Sequence, residues 1–389
     1  MDSPLVARMT PFGETIFSTM TALAITHDAV NLGQGFPDED GPAEILAAAQ
    51  QAIADGHNQY APGPGVPVLR QAIADHQERF YGLSVDPDRE VLVTTGATEA
   101  IAASLLALLD PGDEVVAFEP YYDSYQACVA LAGGVLRTVP LTWPDLELDV
   151  ERLEAACSPR TKVFLLNSPH NPLGKVFTAG ELSTIGEIAR RHNAVIVSDE
   201  VYEHLTFDGA THIPIASLPG LADRTLTISS AGKTFSTTGW KIGWATGPAD
   251  LIRAVRTVKQ YLTFTSGTPF QFAIAHGLGL GDEVYRGLTE SLDARRGLML
   301  DGLRSMGFGV QAPEGTYFIV ADTAPLGVDD ADALCRAMPE QIGVAAVPVS
   351  AFYEDQTLGR SLIRLAFCKD EAVLRAGLER LARVPDVRL

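Results

Sequence analysis

KVFLLNSPHNPLGKVFTAGELSTIGEIARRHNAVIVSD, residues 162–199, carries the pattern on which the fold turns. Two short apolar runs, 162–166 and 194–198, bracket a helical pattern over 181–193 in which Leu182, Ile185, Ile188 and Ala189 fall on one face. The same kind of apolar, β-branched run recurs on either side, at 91–95, 114–118, 135–139, 224–229 and 242–246. Most gaps between these runs hold helix-like patterns. Alternating strands and helices imply an α/β fold, a mainly parallel sheet covered by helices on both faces. The last run follows its predecessor after only about a dozen residues, so it is expected to run antiparallel.

The chain ends read differently. Beyond about residue 285 come a long amphipathic helix, 285–306, and short runs at 316–321 and 361–367. Together with the segment before about residue 40 they suggest a smaller α+β domain built from both ends. The expected division is an N-terminal arm over 1–40, a large domain over 41–284 and the remainder of the small domain over 285–389. No internal repeat is visible at periods of 20–50 residues.

Composition narrows the class. Hydrophobic residues make up 46% of 389 residues, and 35 Gly and 24 Pro are spread along the chain, so the whole length reads as folded. A net charge of -20 argues against a nucleic-acid surface, which would gather Lys and Arg on one face. The N-terminal residues 1–17 hold no apolar signal core, and no apolar stretch is long enough to span a membrane, so a cytoplasmic protein is expected. Cys128, Cys157, Cys335 and Cys368 lie far apart with no C-x-x-C spacing, which points to reduced thiols and gives no support to a metal site.

Polar residues follow the strand candidates: Gly96-Ala97-Thr98, Glu119 to Tyr122, Asn167, Asp199 and Ser230. In a parallel sheet these carboxyl ends share one edge, where open α/β sheets bind ligands. Gly96-Ala97-Thr98 leads into the apolar helix 100–109, whose N-terminus is either an anion site or is simply capped by Thr98. Asp199 ends a strand expected to be buried on both faces. It therefore needs a partner, such as a protonated pyridine nitrogen, or else caps the next helix. Lys233 follows a Ser/Ala/Gly turn, and a lysine with its pKa lowered by partial burial is the type used for Schiff bases. Ser230 and Lys241 could clamp a phosphate, although two isolated lysines are by default surface residues.

The strings NLGQGFPDEDGP (31–42), NQYAPGPG (58–65), GATEAI (96–101), EPYYDSY (119–125), NSPHNPLGKVF (167–177), SDEVYEHLTFDG (198–209), SSAGKTFSTTGWKIGW (229–244), GTYF (315–318), VPVSAFY (347–353) and IRLAFCKDE (363–371) occur in order. In these the chain resembles class I/II aminotransferases of fold type I, which depend on pyridoxal 5'-phosphate (PLP). It is similar in particular to the kynurenine/glutamine aminotransferase group and the actinobacterial N-succinyldiaminopimelate aminotransferases. The resemblance implies a seven-stranded large domain with Lys233 as the Schiff-base lysine and Asp199 as partner of the pyridine nitrogen. Asn171 and Tyr202 would donate to the ring oxygen, and Tyr122 would stack on the ring. Ala97, Thr98, Ser230 and Lys241 would bind phosphate, helped by Tyr60 of a second subunit, which implies a homodimer. Arg364, assisted by Gly35 and Asn171, would grip the substrate carboxylate, an arginine that unaided reading would leave as a surface ion pair. Phe17, Phe264 and Tyr60 would line the side-chain pocket. Thr98 replaces an aromatic residue and Phe17 a tryptophan of animal kynurenine enzymes, so the resemblance leaves kynurenine specificity open, and a broad kynurenine/glutamine/methionine-type enzyme stays as the alternative.

The activity so implied moves an amino group from an L-amino acid to a 2-oxo acid such as 2-oxoglutarate, with Lys233 carrying the proton. The donors in view are N-succinyl-L,L-diaminopimelate, glutamine, methionine and aromatic amino acids. Lys175, Arg256 and Lys259 are candidates to meet a distal anion. Elimination from cysteine conjugates is an alternative on the same scaffold. A regulatory module fused to a DNA-binding domain finds no support, because no helix-turn-helix or basic segment precedes residue 30.

Overall fold

The computed structural model describes residues 5–389; the first four residues of the expected N-terminal arm lie outside the described residues. Its centre is a seven-stranded sheet of β1 (Val91–Thr95), β2 (Glu114–Glu119), β3 (Val135–Pro140), β4 (Thr161–Asn167), β5 (Val195–Asp199), β6 (Thr225–Ser230) and β7 (Ile242–Thr246). The spatial order is β1-β7-β6-β5-β4-β2-β3. All neighbours are parallel except β7, which is antiparallel to both β1 and β6, as the short connection before it requires.

Successive side chains of a strand point to opposite faces, and here both faces are apolar. In β2, Val115 and Ala117 join Ile101, Leu105 and Val255 on one side, while Val116 and Phe118 join Leu182, Ile185 and Ile188 on the other. The crossover helix, Ala179–Arg191, buries the face read from its sequence. Its start is fixed by reciprocal bonds between Thr178 and Glu181, and Arg190 and Arg191 in the last turn oppose the helix dipole. β3 is the partly exposed edge, and it ends in Pro140, a residue that edge positions tolerate.

The second unit holds a four-stranded sheet in the order Val347–Pro348, Leu362–Ala366, Phe318–Asp322, Gly309–Val310, with antiparallel pairing throughout. The long helix Asp282–Ser305 and the helix Glu371–Leu381 pack with it. The chain's beginning joins it: Val30–Asn31 pairs parallel with Val344–Ala345, and Leu32 bonds through its backbone to Ala345 and Ala366. Leu32 is fully buried, and a Cβ at Gly377 would lie 2.7 Å from its Cδ1, so this glycine lets the last helix close over the first strand. All four cysteines are unpaired, and three of them are buried. Among the described residues no helix is long and apolar enough to cross a membrane.

Candidate active site

The carboxyl ends of β1, β2, β4, β5 and β6 meet at one edge of the sheet. Because β7 is reversed, its start lies there too: Ser230 is in register with Gly243, and Lys241 precedes β7 in the left-handed conformation, φ 55°. A cavity of about 360 Å³ opens at this edge and is closed on the other side by Phe17, Gly35, Phe318 and Arg364 of the second unit.

Asp199 is 5% exposed, accepts one strong hydrogen bond, from Tyr125 Oη at 2.6 Å, and one weak one, from the Val201 N–H at 3.3 Å. Burial, only partly offset by the Tyr125 bond, pushes its carboxyl up to about 6. A turn follows it instead of a helix, so the capping alternative fails. A cationic donor in the cavity would satisfy this group.

Lys233 sits on the short helix Ala231–Thr234, which Ser230 caps by accepting the Gly232 N–H. Its Nζ donates to Tyr317 Oη at 2.7 Å and more loosely to the Gly35 carbonyl at 3.5 Å. Burial lowers its pKa to about 8, against the opposing pull of Cys368 and Asp199. Near neutral pH a minority of about a tenth is therefore free amine, far more than for an ordinary lysine.

Arg364 occupies an inner strand of the four-stranded sheet, opposite Val320 and Val347. It is 2% exposed and donates to the Gly33 carbonyl at 2.6 Å and Asn171 Oδ1 at 3.3 Å, while its Nε has no partner. Phe318 and Phe17 flank the guanidinium at 4.1 and 4.8 Å from their ring centres. Burial lowers its pKa to about 10. Among the described residues no carboxylate is bonded to it, so it is not a surface ion pair, and a buried cation with an idle donor suits an incoming carboxylate.

At the far end the helix Gly96–Leu108 points its N-terminus at the cavity. Its cap is Thr95, which makes no side-chain bond to it, so Thr98 lies in the first turn and is not the cap. A Cβ on Gly243 would lie 2.6 Å from the Gly96 carbonyl carbon, and one on Gly96 would lie 3.4 Å from Lys241 Nζ. The two glycines thus let helix, strand and lysine crowd into one anion-attracting corner.

The family model for aminotransferase class I and II matches residues 27–381. The chain belongs to this family. It is a transaminase by that membership and by its relatives. It is 52% identical to a probable N-succinyldiaminopimelate aminotransferase of Mycobacterium tuberculosis over 97% of this chain and 98% of the relative. It is 39% identical to the methionine aminotransferase of Escherichia coli over 98% of this chain and all of that one. The solved structure of N-succinyldiaminopimelate aminotransferase from M. tuberculosis superposes with a TM-score of 0.96 at 52% identity, covering 98% of this chain and 100% of that one.

In this aminotransferase the cavity gathers Phe17, Gly35, Ala97, Thr98, Tyr122, Asn171, Asp199, Tyr202, Ser230, Lys233, Lys241 and Arg364, all expected from the sequence. Tyr60 and Phe264 are not among its lining residues. They pack edge to face with ring centres 5.7 Å apart, and are 83% and 46% exposed. The three cations suggested for a distal anion lie elsewhere. Lys175 pairs with Glu181 at 2.7 Å, Arg256 lines a separate cleft with Asp88 and Pro64, and buried Lys259 donates to the carbonyls of Gly63 and Phe264 at 3.0 and 2.7 Å. Sequence reading gave no role to Tyr125, Tyr317 or Phe318. The one available signal was that a buried carboxylate and a buried amine each need a hydroxyl neighbour, and it could not say which tyrosine supplies it.

Proposed function

We propose that this transaminase works with pyridoxal 5'-phosphate, carried covalently on Lys233 Nζ, and moves an amino group from an L-amino acid to a 2-oxo acid, for which 2-oxoglutarate is the acceptor we assign. The observation that carries the reading is one cavity holding a buried amine, a buried carboxylate without a cationic partner and a buried guanidinium with an idle Nε. When bound, the cofactor supplies an electron sink for the bonds at the substrate α-carbon. Asp199 would hold a proton on the ring nitrogen, Tyr202 and Asn171 would bond the ring oxygen, and Tyr122 would cover the ring. Ser230, Lys241 and the helix start at Ala97 and Thr98 would hold the phosphate. Arg364, with Gly35 and Asn171, would grip the substrate carboxylate, leaving Lys233 Nζ to take the α-proton. With its pKa near 8, Lys233 can accept and return that proton near neutral pH.

Exposed Tyr60 and Phe264, with Tyr261 at 83% and Leu262 at 48% exposure beside Phe264, support a homodimer in which Tyr60 completes the partner's phosphate site and Phe264 its substrate pocket. The division at residues 40 and 284 into a large and a small domain belongs to the same reading, and unpaired cysteines suit a reducing cytoplasm.

For the donor, the relative at 52% identity supports N-succinyl-L,L-diaminopimelate. An uncharged donor such as methionine is favoured by a specific feature: among the cavity residues the cations are Lys233, Lys241 and Arg364, and the first two are assigned to cofactor. A donor panel with 2-oxoglutarate, followed by glutamate formation, decides between them. Lys233→Ala should lower turnover at least ~10⁴-fold while still binding cofactor without a covalent bond; full activity in that variant would end the assignment.

A further inference from the structure

We infer that Tyr317 is a positioning residue for Lys233: its phenol oxygen holds the amine whenever that amine is not covalently engaged, and ties it to the segment that also holds Arg364. The inference rests on Lys233 being the cofactor-bearing amine.

Tyr317 is 1% exposed, so its hydroxyl must find its partners inside the protein. It donates to the Gly35 carbonyl at 2.5 Å, and a carbonyl can only accept. The phenol's single proton is therefore committed, and the 2.7 Å contact with Lys233 must have nitrogen as donor. Burial drives the phenol's pKa well above its ordinary value, so Tyr317 stays neutral and cannot itself act as base. The other Lys233 bond, to Gly35, is long at 3.5 Å, which leaves Tyr317 as the principal anchor.

The anchor is closely packed. The Tyr202 ring stands perpendicular to that of Tyr317 at 5.2 Å, and a Cβ on Gly35 would lie 2.4 Å from Phe318 Cζ, so Gly35 is packed too closely to carry a side chain. Two residues before Gly35, the Gly33 carbonyl takes Arg364. Amine and carboxylate grip are thus fixed to one short piece of backbone. An acceptor at this place favours the charged lysine over the free amine and so opposes the effect of burial.

The test is acylation of the full-length, cofactor-free chain with acetic anhydride across pH, reading Lys233 by peptide mass. In Tyr317→Phe, which keeps the ring, the midpoint for Lys233 should fall by about one pH unit. Tyr353→Phe removes another buried hydroxyl, one that bonds the Leu141 carbonyl at 2.8 Å, and should leave the midpoint unchanged. In turnover, Tyr317→Phe should lower kcat about tenfold or more with the donor KM within about twofold. An unchanged or raised midpoint overturns the inference, as does a rise in KM at constant kcat. Borohydride trapping of PLP on Lys233 tests the parent assignment separately. Failure to trap with a lowered midpoint sinks that assignment and keeps Tyr317 as the anchor; trapping with an unchanged midpoint sinks only the anchor.

Discussion

Both oxygens of buried Glu203 have a hydroxyl donor, Tyr81 at 2.7 Å on one and Ser229 on the other, while His76 and His204 share a hydrogen bond between Nε2 atoms at 2.7 Å. Asp199, four residues earlier in the chain, has Tyr125 and a weak backbone contact, with no cation bonded to it among the described residues. Burial would raise both carboxyls. In Glu203 the neighbouring histidines and the two hydroxyls outweigh burial and the pKa falls; in Asp199 burial wins and it rises. The ligand-type atoms of His76, Glu203 and His204 lie within 4.8 Å of one another, but each is already paired within the protein. A closed polar cluster stabilises its fold, and an open one costs stability that a ligand can return.

Substitutions should separate the clusters. Asp199→Asn should lower transamination ~10³-fold, because the ring nitrogen loses its anionic partner; a stopped-flow half-reaction with donor alone measures this. Arg364→Lys should lower kcat/KM about 10²-fold, since an ammonium cannot make the planar paired contact with a carboxylate. The loss should appear for every donor in the panel. Glu203→Gln should lower unfolding free energy by roughly 2–4 kcal/mol in urea while leaving kcat per folded molecule within about twofold. A large loss of kcat there would erase the distinction between the clusters.

The smallest effect has the most telling sign. The Asp199 carboxyl is raised from 3.8 to about 6 in the folded chain, so its stabilising protonated form is fully present below pH 3.8 and lost as pH rises through about 6. Cofactor-free Asp199→Asn should therefore gain about 1–3 kcal/mol over the parent at pH 7 and nothing near pH 4. For Glu203 the folded pKa is depressed, so its contribution is present above 4.5 and lost as pH falls. His204, lowered by burial to about 3, adds in the same direction from 6.5 downward. Thermal scans of Glu203→Gln and Asp199→Asn against pH should diverge with opposite slopes.

The sheet was legible because its strands are short apolar runs separated by helices with one apolar face, a local pattern that burial on both faces enforces. Even the reversal of β7 could be read from connection length. The edge of polar residues followed from topology, since parallel strands put their ends together. Distances were not legible. Whether Lys259 reaches the cavity or supports a loop depends on how two loops far apart in sequence fold around it, and the structure gives it to Gly63 and Phe264. Arg364 shows the same limit: alternation in SLIRLAF places it opposite Ile363 and Leu365, yet only packing against Phe17 and Phe318 makes it a buried cation. Tyr317 was hidden because a tyrosine in an apolar run looks like core until its hydroxyl is placed, and Tyr125 because nothing around it in the chain says where its hydroxyl points.

The pairing of Val30–Asn31 with Val344–Ala345 also sets a schedule for synthesis. About 310 residues separate the partners, so at ~5–20 residues per second the first strand waits roughly 15–60 seconds for the second to leave the ribosome. The last strand of the seven-stranded sheet, ending at Thr246, is made well before that interval closes, whereas Met20 and Leu32, both buried in the finished molecule, still lack the C-terminal segments that cover them. The nascent chain thus carries a sticky leading end throughout most of its manufacture, a natural point for chaperone capture.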